Sequence, residues 1–159
     1  MNSISFGKDP DDIYSTPIGT RQTNLSKIFL MKPRENPEKP GRKLSVVWDS
    51  RVPLVEGFEN NYTYTVEFAN IESVAGNHYH KKKKELFYPV VGDFDVILED
   101  IETKEKEQLT LSSKDHRVLL VNPPTAHVVI AKTHPAILLV TATYPNNKED
   151  EFKYILKNV

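Results

Sequence analysis

The sequence predicts an all-β domain closed as a sandwich or barrel, on two observations. From Lys43 onward, short segments rich in β-branched, aromatic and aliphatic residues follow one another at close spacing, separated by turn residues. One of them, Tyr62 to Phe68 (YTYTVEF), alternates residue by residue, the mark of a strand with one buried face.

The elements follow in order. Met1 to Thr23 is rich in Ser, Asp, Pro and Gly and has little periodicity. Leu25 to Met31 (LSKIFLM) is a short apolar run that reads as a strand, and the Pro- and Gly-bearing stretch Lys32 to Arg42 reads as a loop. Residues 1–42 are therefore expected to form an irregular N-terminal arm, free either to pack on the barrel or to reach a neighbouring subunit, and residues 43–159 the barrel domain. Within the barrel, strands are predicted at Leu44–Trp48, Tyr62–Phe68, Glu85–Val91, Asp93–Leu98, Gln108–Leu111, Val118–Val121, Val128–Ala131 and Ala136–Thr143. Asp100 to Glu107 is expected to be the charged turn of a hairpin. Glu149 to Lys157 (EDEFKYILK) reads as a possible short C-terminal helix, with Phe152, Ile155 and Leu156 on one face.

Composition narrows the function classes. The chain has 159 residues, fitting one domain long enough to bury a core without covalent staples. Its 21 Lys+Arg and 22 Asp+Glu leave a formal net charge of −1, which argues against nucleic acid as the main partner, since phosphate binding needs a basic surface. With no cysteine there is neither a disulfide nor a thiolate metal site, so any transition metal must be held by His, Asp or Glu. No run approaches the roughly 20 apolar residues of a membrane span, and the polar start offers no signal-peptide core, so the expectation is a cytoplasmic protein without a membrane partner.

The segment that carries chemistry is Gly76 to Gly92, GNHYHKKKKELFYPVVG. On a strand, His78 and His80 point to the same face, and two imidazoles on one face can share a cation. Glu85 opens the next strand and can return a carboxylate to the same point. Further along, Asn122 to His127 (NPPTAH) brings a third imidazole at a strand start, expected from the opposite wall. Three neutral imidazoles and one carboxylate suit a divalent ion and leave coordination positions open for water or a substrate oxygen. Zn, Mn, Fe, Ni and Co are all compatible with these ligands.

Other residues have plainer readings. Lys81 to Lys84 is most simply a solvated charge run, although one lysine could guide an anionic substrate. His116 reads as a surface residue, His134 as structural in a turn, and Trp48 as a packing residue. Tyr62, Tyr64 and Phe68 share a strand face and form core or pocket wall; one tyrosine could serve as a general acid, with nothing to select it.

The pattern His-x-His, four residues, Glu, six residues, Gly at His78, His80, Glu85 and Gly92 resembles the first motif of the cupin superfamily, and Pro123 or Pro124 followed by His127 resembles the second, without its Gly and downstream Asn. The resemblance implies a double-stranded β-helix, the cupin jelly-roll barrel, with His78, His80, Glu85 and His127 as ligands of one divalent metal ion. It also implies a homodimer. Ala75-Gly76-Asn77-His78-Tyr79-His80-Lys81 further resembles the Arg-Gly-x-His-x-His-Lys segment of cupins that isomerise or epimerise nucleotide sugars, as the acidic and aromatic C-terminus does. The family's Arg is Ala75 here, a departure at a position expected to contact sugar or phosphate. Several of those enzymes work without metal and often carry Gln near the Glu85 position. The expected function is a metal-dependent cupin enzyme acting on a small sugar-like substrate as an isomerase or epimerase. The alternatives are a metal-dependent dioxygenase and a non-catalytic small-ligand-binding cupin.

Overall fold

The computed structural model describes residues 14–157. The readings placed on Met1 to Ile13 lie outside the described residues. Thirteen strands and one short 3-10 turn make up the regular structure: β1 (Gly19–Gln22), β2 (Lys27–Leu30), β3 (Arg34–Glu35), β4 (Lys43–Leu44), β5 (Tyr62–Phe68), β6 (Val74–Tyr79), β7 (Glu85–Val91), β8 (Asp93–Asp100), β9 (Lys106–Ser112), β10 (Arg117–Val121), β11 (Thr125–Ala131), β12 (Ala136–Ala142), the turn Lys148–Asp150, and β13 (Phe152–Lys153). They form a six-stranded antiparallel sheet ordered β1-β2-β10-β7-β12-β5, a five-stranded one ordered β13-β6-β11-β8-β9, and the small pair β3-β4. This two-sheet arrangement is the cupin jelly roll.

Strand parity sorts the side chains into two apolar clusters. Phe87, Phe94, Val96, Leu98, Leu111, Leu119, Val121, Val129, Leu138 and Val140 fill the space between the sheets. Leu86, Tyr88, Val118 and Leu120, the alternate residues of β7 and β10, point to the outer side, where Phe29, Met31, Phe58 and Trp48 cover them. Both faces of β7 and β10 are therefore buried, which is why these strands read as continuous apolar runs rather than alternating ones. Each fully buried Phe or Leu contributes about 1.5–3 kcal/mol relative to exposure, so the double layer anchors the walls on which the polar residues stand.

The β1–β2 hairpin extends the six-stranded sheet through the pairing of β2 with β10. The later part of the arm thus packs on the barrel. Its turn is tied down by Glu107, whose Oε2 accepts from the Thr23 hydroxyl at 2.8 Å and the Leu25 amide at 3.0 Å.

Two expected elements differ. Of the expected strand Leu44–Trp48 only Leu44, opposite Arg34, lies in regular pairing; Val47 and Trp48 instead lie in a loop packed over the outer cluster, with the Trp48 ring 5.0 Å from that of Phe58. The expected helix over Glu149–Lys157 is not formed. Lys148–Asp150 makes a single 3-10 turn and Phe152–Lys153 a strand that pairs with β6. Phe152 stacks on Tyr79 with ring centroids 5.1 Å apart, so its apolar surface serves a sheet edge and not a helix face.

Gly92 lies at the corner between β7 and β8, where the chain leaves one sheet for the other. Its φ is +87°, and a Cβ there would lie 2.6 Å from Thr133 Oγ1 and 2.8 Å from the Pro135 carbonyl oxygen. Only glycine fits both constraints.

Candidate metal centre and active site

His78, His80, Glu85 and His127 converge between the sheets: one nitrogen or oxygen from each lies within 4.8 Å of the others. Parity places two of them directly. Glu85 is two residues before Phe87 on β7, and His127 two before Val129 on β11; both partners belong to the inner core.

His78 and His80 need one further device. Ala75 packs on the inner core and pairs with Val129, while His78 pairs with His127. One residue lies between His127 and Val129 on β11, but two lie between Ala75 and His78, so β6 carries one extra residue. This bulge at Gly76–Asn77 reverses the parity of the strand and turns the two histidines inward. Both bulge residues have positive φ, +102° at Gly76 and 61° at Asn77. A Cβ at Gly76 would meet the His127 carbonyl oxygen at 2.6 Å.

The strands that bring the ligands are distributed differently from the sequence expectation. His127 and His78 are register partners within the five-stranded sheet. The residue from the opposite wall is Glu85, on β7 of the six-stranded sheet.

Glu85 is 2% exposed. Its Oε1 accepts from the Tyr64 hydroxyl at 3.1 Å and lies 3.4 Å from Lys83 Nζ. Its Oε2 lies 3.3 Å from His127 Nε2 and 3.7 Å from His80 Nε2. Neither Oε2 nor His80 Nε2 has a hydrogen-bond partner among the described residues, although both are buried. On the far side of its ring, His80 Nδ1–H donates to the Asp150 carbonyl. That bond fixes the tautomer and turns the Nε2 lone pair into the site.

The electrostatics suit neutral imidazoles beside a charged carboxylate. Burial, reinforced by the neighbouring His127 and His80 rings, pushes the His78 pKa down to about 4. Burial also lowers that of His127, outweighing the pull of Glu85. Burial alone would raise the Glu85 pKa, but His127, Lys83 and His80 together bring it below the ordinary range. Burial, with Glu85 next to it, pushes the Tyr64 hydroxyl far upward and keeps it protonated.

A cavity of about 200 Å³ opens on this cluster, lined among others by Tyr64, His78, Lys83, Glu85, His127 and Glu151. A second, of about 500 Å³, is lined by Lys82, Tyr144, Asn147 and Asp150, and shares Lys83 and Asn146 with the first. Lys83 departs from the reading of Lys81 to Lys84 as a solvated run: Lys81 and Lys82 are exposed, but Lys83 is 3% exposed and donates to Asn146 Oδ1 at 2.8 Å. His134 is exposed in a turn, and His116 is half-buried with Nδ1 3.4 Å from the Tyr88 hydroxyl, so neither joins the site.

Local sequence reasoning missed Asn77 and Asp150. The Asn77 side chain accepts from the amides of Leu156 (2.9 Å) and Lys157 (3.1 Å) and donates to the Lys157 carbonyl at 2.9 Å, clamping the chain end over β6. The Gly-Asn pair was a usable signal for a bulge. Nothing near Asp150 announced its partners some 70 positions earlier in the chain.

The fold and the position of the cluster make this a cupin-fold protein with a polar centre between its sheets. Residues 23–157 match the family model described as FdtA: WxcM-like, C-terminal, and the chain belongs to that family. No curated protein sequence matches significantly. Among solved structures it is similar to the 3,4-ketoisomerase QdtA from Thermoanaerobacterium thermosaccharolyticum, a variant solved in complex with TDP-4-keto-6-deoxyglucose, at 16% identity over 83% of this chain and 89% of that one, with a TM-score of 0.68. The dTDP-4-dehydrorhamnose 3,5-epimerase of Bacillus anthracis gives a TM-score of 0.71 at 15% identity, covering 84% of this chain and 81% of that one. The TDP-quinovose 3,4-ketoisomerase WlaRB of Campylobacter jejuni gives 0.68 at 20% identity, covering 82% and 94%. No helix among the described residues is long and apolar enough to cross a membrane.

Proposed function

We propose that this protein is an isomerase or epimerase of nucleotide-linked keto sugars, with His78, His80, Glu85 and His127 holding one divalent metal ion. The observation that carries the metal reading is the pair of buried, unpartnered atoms, His80 Nε2 and Glu85 Oε2, facing one point with His127 Nε2. Buried polar atoms without partners are costly, and a cation between them satisfies all the donors at once. The sugar reading is supported by the family and by structural neighbours solved with TDP or a TDP-keto-sugar.

When bound, the ion supplies Lewis-acid polarisation of a substrate carbonyl. The remaining chemistry belongs to the chain. A keto sugar isomerises when the proton on a carbon next to the carbonyl is removed and a proton is returned elsewhere on the enediolate. Tyr64 stays protonated and lines the cavity; turned from Glu85 Oε1, its hydroxyl can donate a hydrogen bond to an enediolate oxygen. Glu151, at the exposed rim with Oε1 3.9 Å from His78 Nδ1, is the carboxylate placed to take the C–H proton. Val66, Val129, Leu138 and Val140 form the apolar wall of the same cavity. The homodimer and cytoplasmic location expected from the sequence stay part of this reading; light scattering decides the first.

Incubation with a TDP-4-keto-6-deoxy sugar in deuterium oxide tests the proposal. Deuterium entering next to the carbonyl, abolished by Tyr64→Phe with Glu151→Gln, is the expected result. Oxygen uptake without deuterium entry would replace it with the dioxygenase reading, and saturable binding without exchange would leave a non-catalytic binding cupin.

A further inference from the structure

We infer that Lys83 is a built-in counter-cation for Glu85: it balances the buried carboxylate, commits Oε1, and leaves Oε2 as the oxygen available to a metal. Both side chains are 2% exposed, and Nζ lies 3.4 Å from Oε1. The Tyr64 hydroxyl donates to that same oxygen, and Asn146 Oδ1 holds the ammonium from its other side at 2.8 Å. Oε2 meanwhile has no hydrogen-bond partner among the described residues. The backbone selects Lys83 from its run: its amide donates to Asp150 Oδ2 at 3.0 Å, and its side chain turns inward while Lys81 and Lys82 stay in solvent.

Two consequences follow. An ionised carboxylate between two apolar sheets needs a compensating charge, and Lys83 supplies it whether or not a metal is bound, so the four-residue cluster stays assembled when empty. An arriving cation meets a carboxylate already half neutralised, with a fixed positive charge beside it. Lys83 therefore weakens metal binding and confines Glu85 to one coordinating oxygen. The second consequence rests on the metal reading above; the pairing itself does not.

The test is a double-mutant cycle in metal-free buffer with Lys83→Gln, Glu85→Gln and both together, read as urea midpoints, followed by Zn(II) titration against a chromophoric chelator. The expected result is that the double variant loses less stability than the sum of the singles, and that Lys83→Gln binds Zn(II) about tenfold more tightly than the wild type because a nearby like charge is gone. Additive losses overturn the pairing, and so does a double variant folded as badly as Lys83→Gln. An insoluble Lys83→Gln rescued by the second substitution supports it. Unchanged or weaker Zn(II) binding in a folded Lys83→Gln overturns the weakening role. If the wild type binds no Zn(II), the metal reading fails and the cycle alone decides the role of Lys83.

Discussion

Two charged turns, Asp100–Glu107 and Lys81–Lys84, look alike in the sequence and are built in opposite ways. The first is self-contained. Asp100 Oδ1 accepts from the amides of Glu102 and Thr103, both at 2.8 Å, its carbonyl accepts from Lys104 N at 2.9 Å, and its amide donates to Glu105 O at 3.0 Å. The second has no acceptor of its own. The Asp150 carboxylate takes the amides of Lys81, Lys82 and Lys83 at 2.9, 3.2 and 3.0 Å, and Thr143 Oγ1 takes that of Lys84 at 3.0 Å. A turn that carries its own Asp closes locally. A turn of lysines waits for the chain end, and that dependence couples the histidine cluster to the C-terminal strap, the 3-10 turn Lys148–Asp150 and β13.

The contrast is broken most directly at the two aspartates. Asp150→Ala leaves three amides without their charged acceptor and loosens the segment that orients His80. It should cost about 3 kcal/mol in urea unfolding, against a much smaller loss for Asp100→Ala in the same measurement. Equal losses would mean that the strap carries no special burden.

Gly76→Ala comes next. It places a Cβ 2.6 Å from the His127 carbonyl oxygen and strains a residue at φ +102°, which should cost about 2–3 kcal/mol. Gly41→Ala, at φ +86° with nothing within 4 Å of the new atom, should cost less. Similar values would remove the bulge from the account.

Acid sharpens the same distinction. The His78 pKa is lowered to about 4 in the folded state, so between the unfolded value of about 6.5 and that figure the unfolded chain binds the extra proton and stability falls with pH. Above this window the effect vanishes. With a chelator present, going from pH 7 to pH 5 should lose about 2 kcal/mol through this residue, and His127 adds in the same direction. A flat urea midpoint across the window contradicts the buried neutral imidazoles. Phe152→Ala should have the smallest effect, about 1 kcal/mol from the lost stack on Tyr79, measured by thermal melting.

What the sequence disclosed follows from the same distinction between local and distant determinants. Tyr62–Phe68 and Glu85–Val91 were legible to the residue because their patterns state their own burial. The motif spacing identified the four converging residues. Their wall assignment was not legible, because the Gly76–Asn77 bulge reverses β6 and register between strands is not written in either one. Leu44–Trp48 misled because its apolar residues cover the outside of a sheet from a loop. The helix pattern after Glu149 misled because Phe152 answers to Tyr79. Lys83 was hidden by its neighbours: four identical side chains give no hint that one turns inward until Glu85, Tyr64 and Asn146 surround it.

The proposed metal reading depends on three imidazoles and one carboxylate sharing a single cation. Chelator-competition titration of the stripped protein with Zn(II) tests it. One equivalent per chain, lost together in His80→Ala and His127→Ala while His116→Ala retains it, is the predicted result. No saturable binding, or binding that survives both ligand substitutions, would contradict it.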